Sequence, residues 1–432
     1  MRIMSNYRDE KLITVDYQDK TSDMVSDIPE KDKKVSEFVL VTSMNFPSGG
    51  AGATYLNLFC RAMKLSGTNI SVLLLKGYGF GNYTYNGPSN NVTEDGVPYT
   101  YLGFKQRPDK ILLKLFEEIK SLYNLVFYLI RLFRKRRNVT LLVYNSEVHF
   151  NIPIFLISRS FKIKTVKFVA EFVDKSEFTK SFFGEIKRYG YIFNFNHINN
   201  LSDKLIVFSF FLKDKYLKIG FKEKDIFVQP NLTDFDFWKM ENAEIKYTLG
   251  YSGAPYLKDG LHDLFKAISI LNNKNSDISL LVIGDAVFGQ SLIPALKKEC
   301  ERLGISEKVH FTGLVESSMV KKYLSECQML ILTRPSTTQT KAGFPTKLGE
   351  YFASGKPVLT TNFGDMEKYF TDGKDIIMAK CGDPESIASR ISWMLQNEEK
   401  MEHITSEGYK RARQVLEYQN SVKRMINFIN FN

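Results

Sequence analysis

The sequence has little of what builds metal or disulfide scaffolds. Its 432 residues include four cysteines, Cys60, Cys300, Cys327 and Cys381, widely spaced and never as Cys-x-x-Cys. That excludes a disulfide framework and a cysteine-rich zinc site, and it suits a reducing compartment. The histidines, His149, His197, His262, His310 and His403, show no ligand spacing. His310 falls inside a strand pattern and reads as core, whereas His149 follows a strand and is a weak candidate for the acceptor side of a cleft. No uncharged apolar run reaches the 18 residues of a spanning helix. Residues 1–35 lack the apolar core of a secretory leader and read as a polar, solvated tail ending in KDKK. No short-period repeat is present, which excludes a solenoid. A Gly-x-Gly-x-x-Gly fingerprint starting at Gly50 fails at its third glycine, because Tyr55 stands there.

Aromatic residues and positive charge are plentiful. Phe (34) and Tyr (22) supply large cores or sticky surfaces. Lys and Arg exceed Asp and Glu by 59 to 48, a net charge of +11, which permits anionic partners. The densest basic cluster, Arg131 to Arg137, closes a long apolar stretch. It is not interleaved with aromatics as in an RNA-binding patch, and no nucleic-acid-binding module is recognisable, so nucleic acid is not an expected partner.

Continuous apolar runs mark strands buried on both faces. They occur at 38–46, 70–77, 140–146, 164–172, 204–209, 247–253, 279–286, 309–313 and 328–334, with 357–361 closing the series. Helical patterns alternate with them, the β-α-β grammar of parallel sheets. A shorter strand within 225–238 breaks at Pro230-Asn231, where a domain boundary is expected. The predicted fold is α/β: two Rossmann-like, doubly wound domains facing a central cleft. The expected spans are 36–236 and 237–410, with a helix over 411–432 that is a candidate for crossing back to the first domain. In such folds ligands sit at the carboxyl ends of the strands.

The strongest chemical signal is RPSTTQTKAGFPTKLGEYFASGKPVLTTN, residues 334–362. A strand runs into a polar loop, Gly343-Phe344-Pro345, and then a helix. Pro345 suits a first helical turn, where a missing N–H costs nothing. Gly343 permits close backbone approach to a ligand. The helix start offers free amides and a positive dipole end, which suits a diphosphate. Lys347 adds a cation in that turn, and Glu350, about one and a half turns in, is placed to accept bonds from two adjacent sugar hydroxyls. Residue by residue, an ordinary loop-to-helix junction explains these features as well; their combination points to a nucleotide site. A second glycine turn, Ser48-Gly49-Gly50-Ala51-Gly52, follows a strand and opens a helix, reading as a close-approach loop or a packing turn. Asp234-Phe235-Asp236, after Pro230-Asn231, reads as helix capping rather than a metal-binding Asp-x-Asp.

Residues 343–358, GFPTKLGEYFASGKPV, resemble the donor-binding signature of glycosyltransferase family 4, whose members have the GT-B fold. SGGAGATYLNLF, SDKLIVFS with IFVQPNLTDFDFW, YSGAPYLKDGLHDLFKAI, LLVIGDA and VHFTGLV fall in the family's order, so the resemblance covers roughly 38–400. It implies transfer of a sugar from a nucleotide-diphosphate donor with retention, without a metal or other cofactor. Implied donor-side residues are Gly253, Lys258, Arg334, Gly343, Phe344, Pro345, Thr346, Lys347 and Glu350; the glycine loop is Gly49, Gly50 and Ala51. Glu171 and Asp174, after the strand 164–172, are candidate bases for the acceptor hydroxyl, and each reads equally as a solvated loop carboxylate. Two departures mark a subgroup with a GFPTKLGEY-type motif. The first glutamate of the family's E-x7-E pair is Ala342, and after the first C-terminal strand Ala254 and Asp259 replace the usual Arg and Lys.

Residues 108–137 read as one long helix with apolar Leu112, Leu115, Phe116, Ile119, Leu122, Tyr123, Val126, Ile130 and Phe133. An in-plane contact with an anionic membrane and a core helix with a basic end fit this pattern equally. The resemblance favours the membrane, because many members glycosylate lipid-linked acceptors. The expected function is therefore sugar transfer to a lipid-linked or polysaccharide acceptor in surface polysaccharide synthesis, peripheral on the cytoplasmic face of a bacterial membrane. The competing readings are a nucleotide-sugar epimerase of the same fold and a catalytically inactive membrane-associated partner.

Overall fold

A computed structural model describes residues 37–79, 91–136, 138–173, 181–241, 243–274, 276–286 and 290–431. The expected tail, Arg137 and Asp174 lie outside these described residues. The apolar runs become two sheets in which every strand pair is parallel. The first comprises β1 (Glu37–Thr42), β2 (Asn69–Leu74), β3 (Tyr99–Tyr101), β4 (Val139–Tyr144), β5 (Lys164–Val169), β6 (Lys204–Val207) and β7 (Ile226–Val228), in the order β3-β2-β1-β4-β5-β6-β7. The second comprises β8 (Tyr247–Ser252), β9 (Leu280–Ile283), β10 (Val309–Phe311), β11 (Cys327–Leu332), β12 (Val358–Thr361) and β13 (Ile377–Ala379), in the order β10-β9-β8-β11-β12-β13. Both are doubly wound, and the order reverses between β1 and β4 and between β8 and β11. Those switch points open crevices at the strand carboxyl ends. The strand series does not close at 357–361, because β13 pairs with β12.

Burial on both faces explains the continuous apolar runs. Val39, Leu40 and Val41 in β1 are fully buried, each contributing roughly 1.5–3 kcal/mol. His310, expected in the core, is exposed: edge strand β10 turns it outward, against the ring of Tyr247. Asp234 caps the short helix Phe235–Trp238, its carboxylate accepting from the Phe237 amide at 2.9 Å.

The long helix runs from Ile111 to Lys135. Its buried stripe is Glu117, Ser121, Leu125, Leu129 and Phe133, one i, i+4 row. Most of the apolar residues that revealed the helix lie elsewhere: Leu112, Leu115, Phe116, Ile119 and Tyr123 are exposed. A plain core helix does not describe this face.

The chain crosses between the domains twice, side by side. The Thr233 amide donates to the Leu416 carbonyl at 2.9 Å, and the Tyr418 amide donates to the Thr233 carbonyl at 3.1 Å. Beyond this point the helix Tyr418–Asn430 buries Val422, Met425 and Ile429 in the N-terminal core, beside the helix Ala51–Leu65. The helix Thr346–Ala353 presses on the crossing: a Cβ at Gly349 would stand 2.0 Å from Thr233 Oγ1. Only glycine brings this helix so close.

Gly349→Ala is therefore expected to lower stability by about 1–3 kcal/mol, despite the better helix propensity of alanine. Thr233→Ala in the same chain is expected to restore most of the loss, as denaturant unfolding of the two singles and the double will show. Additive losses would contradict the contact.

Candidate functional site

The carboxyl ends of β8, β9 and β11 converge on the start of the helix Thr346–Ala353. Gly253 follows β8 at φ +112°, and a Cβ there would meet Lys347 Cε at 2.7 Å. This glycine lets the lysine pass beneath the loop.

At the centre lies Asp259, which is 1% exposed. One carboxylate oxygen accepts from Lys347 Nζ at 2.8 Å and from the Tyr251 hydroxyl at 2.8 Å. The other accepts from Arg334 Nε at 2.9 Å. Burial pushes the Asp259 carboxyl up, but Lys347 and Arg334 outweigh it and hold it below its ordinary value. Burial pushes Lys347 down to about 8, against the pull of Asp259 and with the push of Arg334. Both partners are thus charged at neutral pH. Asp259 is thus an anchor for two cations contributed by other elements.

Between the two sheets lies a cavity of about 410 Å³. Lys258, Arg334, Gly343, Phe344, Pro345 and Thr346 line it from the C-terminal side. Ala51, Tyr55, Tyr144, Lys167 and Glu171 line it from the N-terminal side. The loop Gly343–Pro345 therefore faces the gap, held by Asn231 Nδ2 donating to the Phe344 carbonyl at 2.9 Å. As at any helix start, the first-turn amides of Thr346 and Lys347 lack intrahelical acceptors. Glu350 is half-buried and makes no side-chain hydrogen bond to the described residues. Burial pushes its carboxyl up to about 7, with Lys347 pulling it down.

Of the N-terminal candidates, Ala51 reaches the cavity, while Gly50 caps the helix Ala51–Leu65 just behind it. Gly49, at φ +149°, sits where a side chain would be strained and tight, since a Cβ would meet Asn45 Cβ at 3.0 Å and Ala53 Cβ at 3.1 Å. Glu171 is exposed at the cavity wall. His149 stands at the start of the helix Val148–Ser160, 3.7 Å from Glu118.

Ala342 is fully buried, in one apolar cluster with Val169, Leu205, Val207 and Leu212 of the N-terminal domain. Its carbonyl accepts from Ser209 Oγ at 2.8 Å. A carboxylate there would be buried among apolar side chains between the domains. Sequence reasoning missed Asp259 as an anchor and also missed the cavity residues Lys167, Asn194 and Asn199. A lysine inside a buried strand run was the available signal for Lys167.

Among the described residues no cluster of His, Cys, Asp or Glu could hold a metal ion, and no helix is long and apolar enough to cross a membrane.

Ala342→Glu is expected to cost about 3–5 kcal/mol, as an unpaired buried charge, whereas Ala342→Ser stays within about 1 kcal/mol. Urea unfolding midpoints check this, and an Ala342→Glu protein as stable as wild type would contradict the interdomain contact.

Residues 232–411 match the family model described as Glycosyl transferases group 1. No curated protein matches the sequence. Several solved structures share the fold. HepE of Anabaena in complex with UDP-glucose is 16% identical, with a TM-score of 0.64 over 90% of this chain and 99% of that one. Sucrose-phosphate synthase of Thermosynechococcus elongatus is 13% identical, with a TM-score of 0.70 over 91% of this chain and 98% of that one. TarM is 11% identical, with a TM-score of 0.66 over 92% of this chain and 99% of that one. Residues 232–411 are thus similar to Glycosyl transferases group 1, and the two-domain fold is that of the GT-B glycosyltransferases.

Proposed function

We propose that the protein transfers a sugar from a nucleoside diphosphate sugar, with retention and without a metal, to a lipid-linked or saccharide acceptor held by the N-terminal domain. The observation that carries this reading is the helix start at Thr346, preceded by Gly343-Phe344-Pro345 in the cavity wall and followed by Glu350, whose carboxylate makes no hydrogen bond among the described residues. A diphosphate at that start meets free amides, the helix dipole and the cations of Lys258, Arg334 and Lys347. Those groups stabilise the charge that grows on the leaving diphosphate as the glycosidic bond breaks. Glu350, once ionised, accepts from the hydroxyls of the attached pentose. The proton of the acceptor hydroxyl goes to Glu171 or to the departing phosphate. UDP-glucose bound to HepE, a structure of the same fold, supports this choice of donor class.

The acceptor side carries a broad apolar face. Besides the exposed row on Ile111–Lys135, the neighbouring helices Val148–Ser160 and Phe182–Phe193 expose Leu156, Phe182 and Tyr189. Lys114, Lys120, Arg131, Arg134 and Lys135 lie on the long helix and Lys110 caps its start. Each cation contributes about 1 kcal/mol near an anionic lipid surface. This supports peripheral attachment to the cytoplasmic face of a membrane.

Burial of Glu350 gives the proposal a pH signature. Binding requires its ionised form, so UDP-glucose affinity is expected to rise between about pH 5.5 and 7.5, across the carboxyl's value of about 7. Glu350→Gln is expected to weaken binding at least tenfold at neutral pH and to flatten that rise, by calorimetry. A folded Glu350→Gln protein with unchanged affinity would overturn the site. For the surface, Phe116→Glu with Ile119→Glu is expected to abolish sedimentation with phosphatidylglycerol vesicles while leaving UDP-glucose affinity intact. Undiminished sedimentation would remove this face from the account.

A further inference from the structure

The cavity has a polar recess on its N-terminal side that nucleotide binding does not use. Lys167 projects into it from the middle of β5, although it is only 3% exposed. Its ammonium has three protons, and one is donated to Ser146 Oγ at 3.3 Å. No carboxylate lies within ion-pair distance of it among the described residues; Glu147 acts on it only from further away. Burial pushes this amine down to about 7. An unpaired ammonium in such a place is costly unless something brings a negative charge to it.

The recess is built rather than accidental. The helix Phe182–Phe193 runs into a π-helical turn, Asn194–Ile198, a distortion that often accompanies functional sites. That turn sets Asn194 and Asn199 into the cavity wall. Asn151 Nδ2 donates to Asn194 Oδ1 at 2.8 Å, and Ser146 donates to Asn151, so the polar frame is fixed. Asn199 is 4% exposed; its Nδ2 donates to the Tyr216 hydroxyl at 2.8 Å, and its Oδ1 has no partner among the described residues. A buried donor without an anion and a buried acceptor without a donor thus share one recess. Of the charged side chains in the cavity wall among the described residues, Lys167, Lys258 and Arg334 are cationic and Glu171 alone is anionic.

We propose that Lys167, Ser146, Asn194 and Asn199 form a subsite for an acidic sugar, in which Lys167 binds a carboxylate or phosphate and Asn199 accepts from a ring hydroxyl. The sugar's place as acceptor rests on the sugar-transfer reading; its binding does not. The anionic group completes the coordination of the ammonium, and the hydroxyl satisfies Asn199 Oδ1. The subsite thereby selects acceptors bearing an acidic unit over neutral ones of the same shape.

Calorimetric titration of the full chain with methyl β-D-glucuronide, glucose 6-phosphate and methyl β-D-glucoside tests this. At least one charged sugar is expected to bind about tenfold or more tightly than the neutral glucoside, and which one does so identifies carboxylate or phosphate. Lys167→Gln is expected to erase that preference. Asn199→Asp, which sets a carboxylate in the recess, is expected to do the same and serves if Lys167→Gln fails to fold, as thermal melting will show. Equal affinity for charged and neutral sugars, no binding of either charged sugar, or a folded variant that keeps the preference would each overturn the subsite. UDP-glucose binding is measured in parallel. Its absence with the acidic-sugar preference intact would defeat the sugar-transfer reading and leave the subsite standing.

Discussion

One buried carboxylate ties the donor side of the cleft together. Asp259 joins the loop after β8 to the end of β11, through Arg334, and to the first turn of the helix Thr346–Ala353, through Lys347. Removing two cations and an anion from water is expensive, and close hydrogen-bonded geometry is what offsets it. The arrangement fixes two positive side chains beside a helix start that is itself electropositive. The anchored cations are thus in place before any ligand arrives, and on the sugar-transfer reading little reorganisation is needed as charge develops on the leaving group.

A second constraint is the seam between the domains. Ala342 packs into the N-terminal core, Ser209 reaches its carbonyl, and the Phe210 amide donates to Asp365 at 2.7 Å. Behind the cavity the two crossings run together at Thr233, and the helix Tyr418–Asn430 closes on the first domain. The loop Gly343–Pro345 is therefore held from the N-terminal domain as well as its own, through Asn231. Residue 342, next to that loop, is part of the same interdomain packing.

Much of the fold was legible because parallel strands buried on both faces leave continuous apolar runs, as in β1, β4 and β11. The three-residue strands β3 and β13 were not read from the sequence, although the equally short β7 and β10 were. The helix Ile111–Lys135 announced itself, but its periodic residues marked the exposed face; the buried row contains Glu117 and Ser121, which hydrophobicity alone does not select. At the site, Gly343 to Thr346 stood out in the sequence as a loop opening a helix, although an ordinary junction explained each residue as well; the structure places them in the cavity wall. Asp259 could not be read as an anchor, because its meaning depends on Lys347 and Arg334, 88 and 75 residues away. Lys167 was hidden for the same reason: its recess is assembled from β4, β5 and a turn near 194–199.

The account makes the start of the helix at Thr346 the seat of a diphosphate. A crystal structure of the protein grown with UDP tests that most directly. The account predicts the diphosphate within hydrogen-bonding distance of the Thr346 or Lys347 amide, with the ribose hydroxyls on Glu350. A nucleotide bound elsewhere, or an empty cleft at saturating UDP, would contradict it.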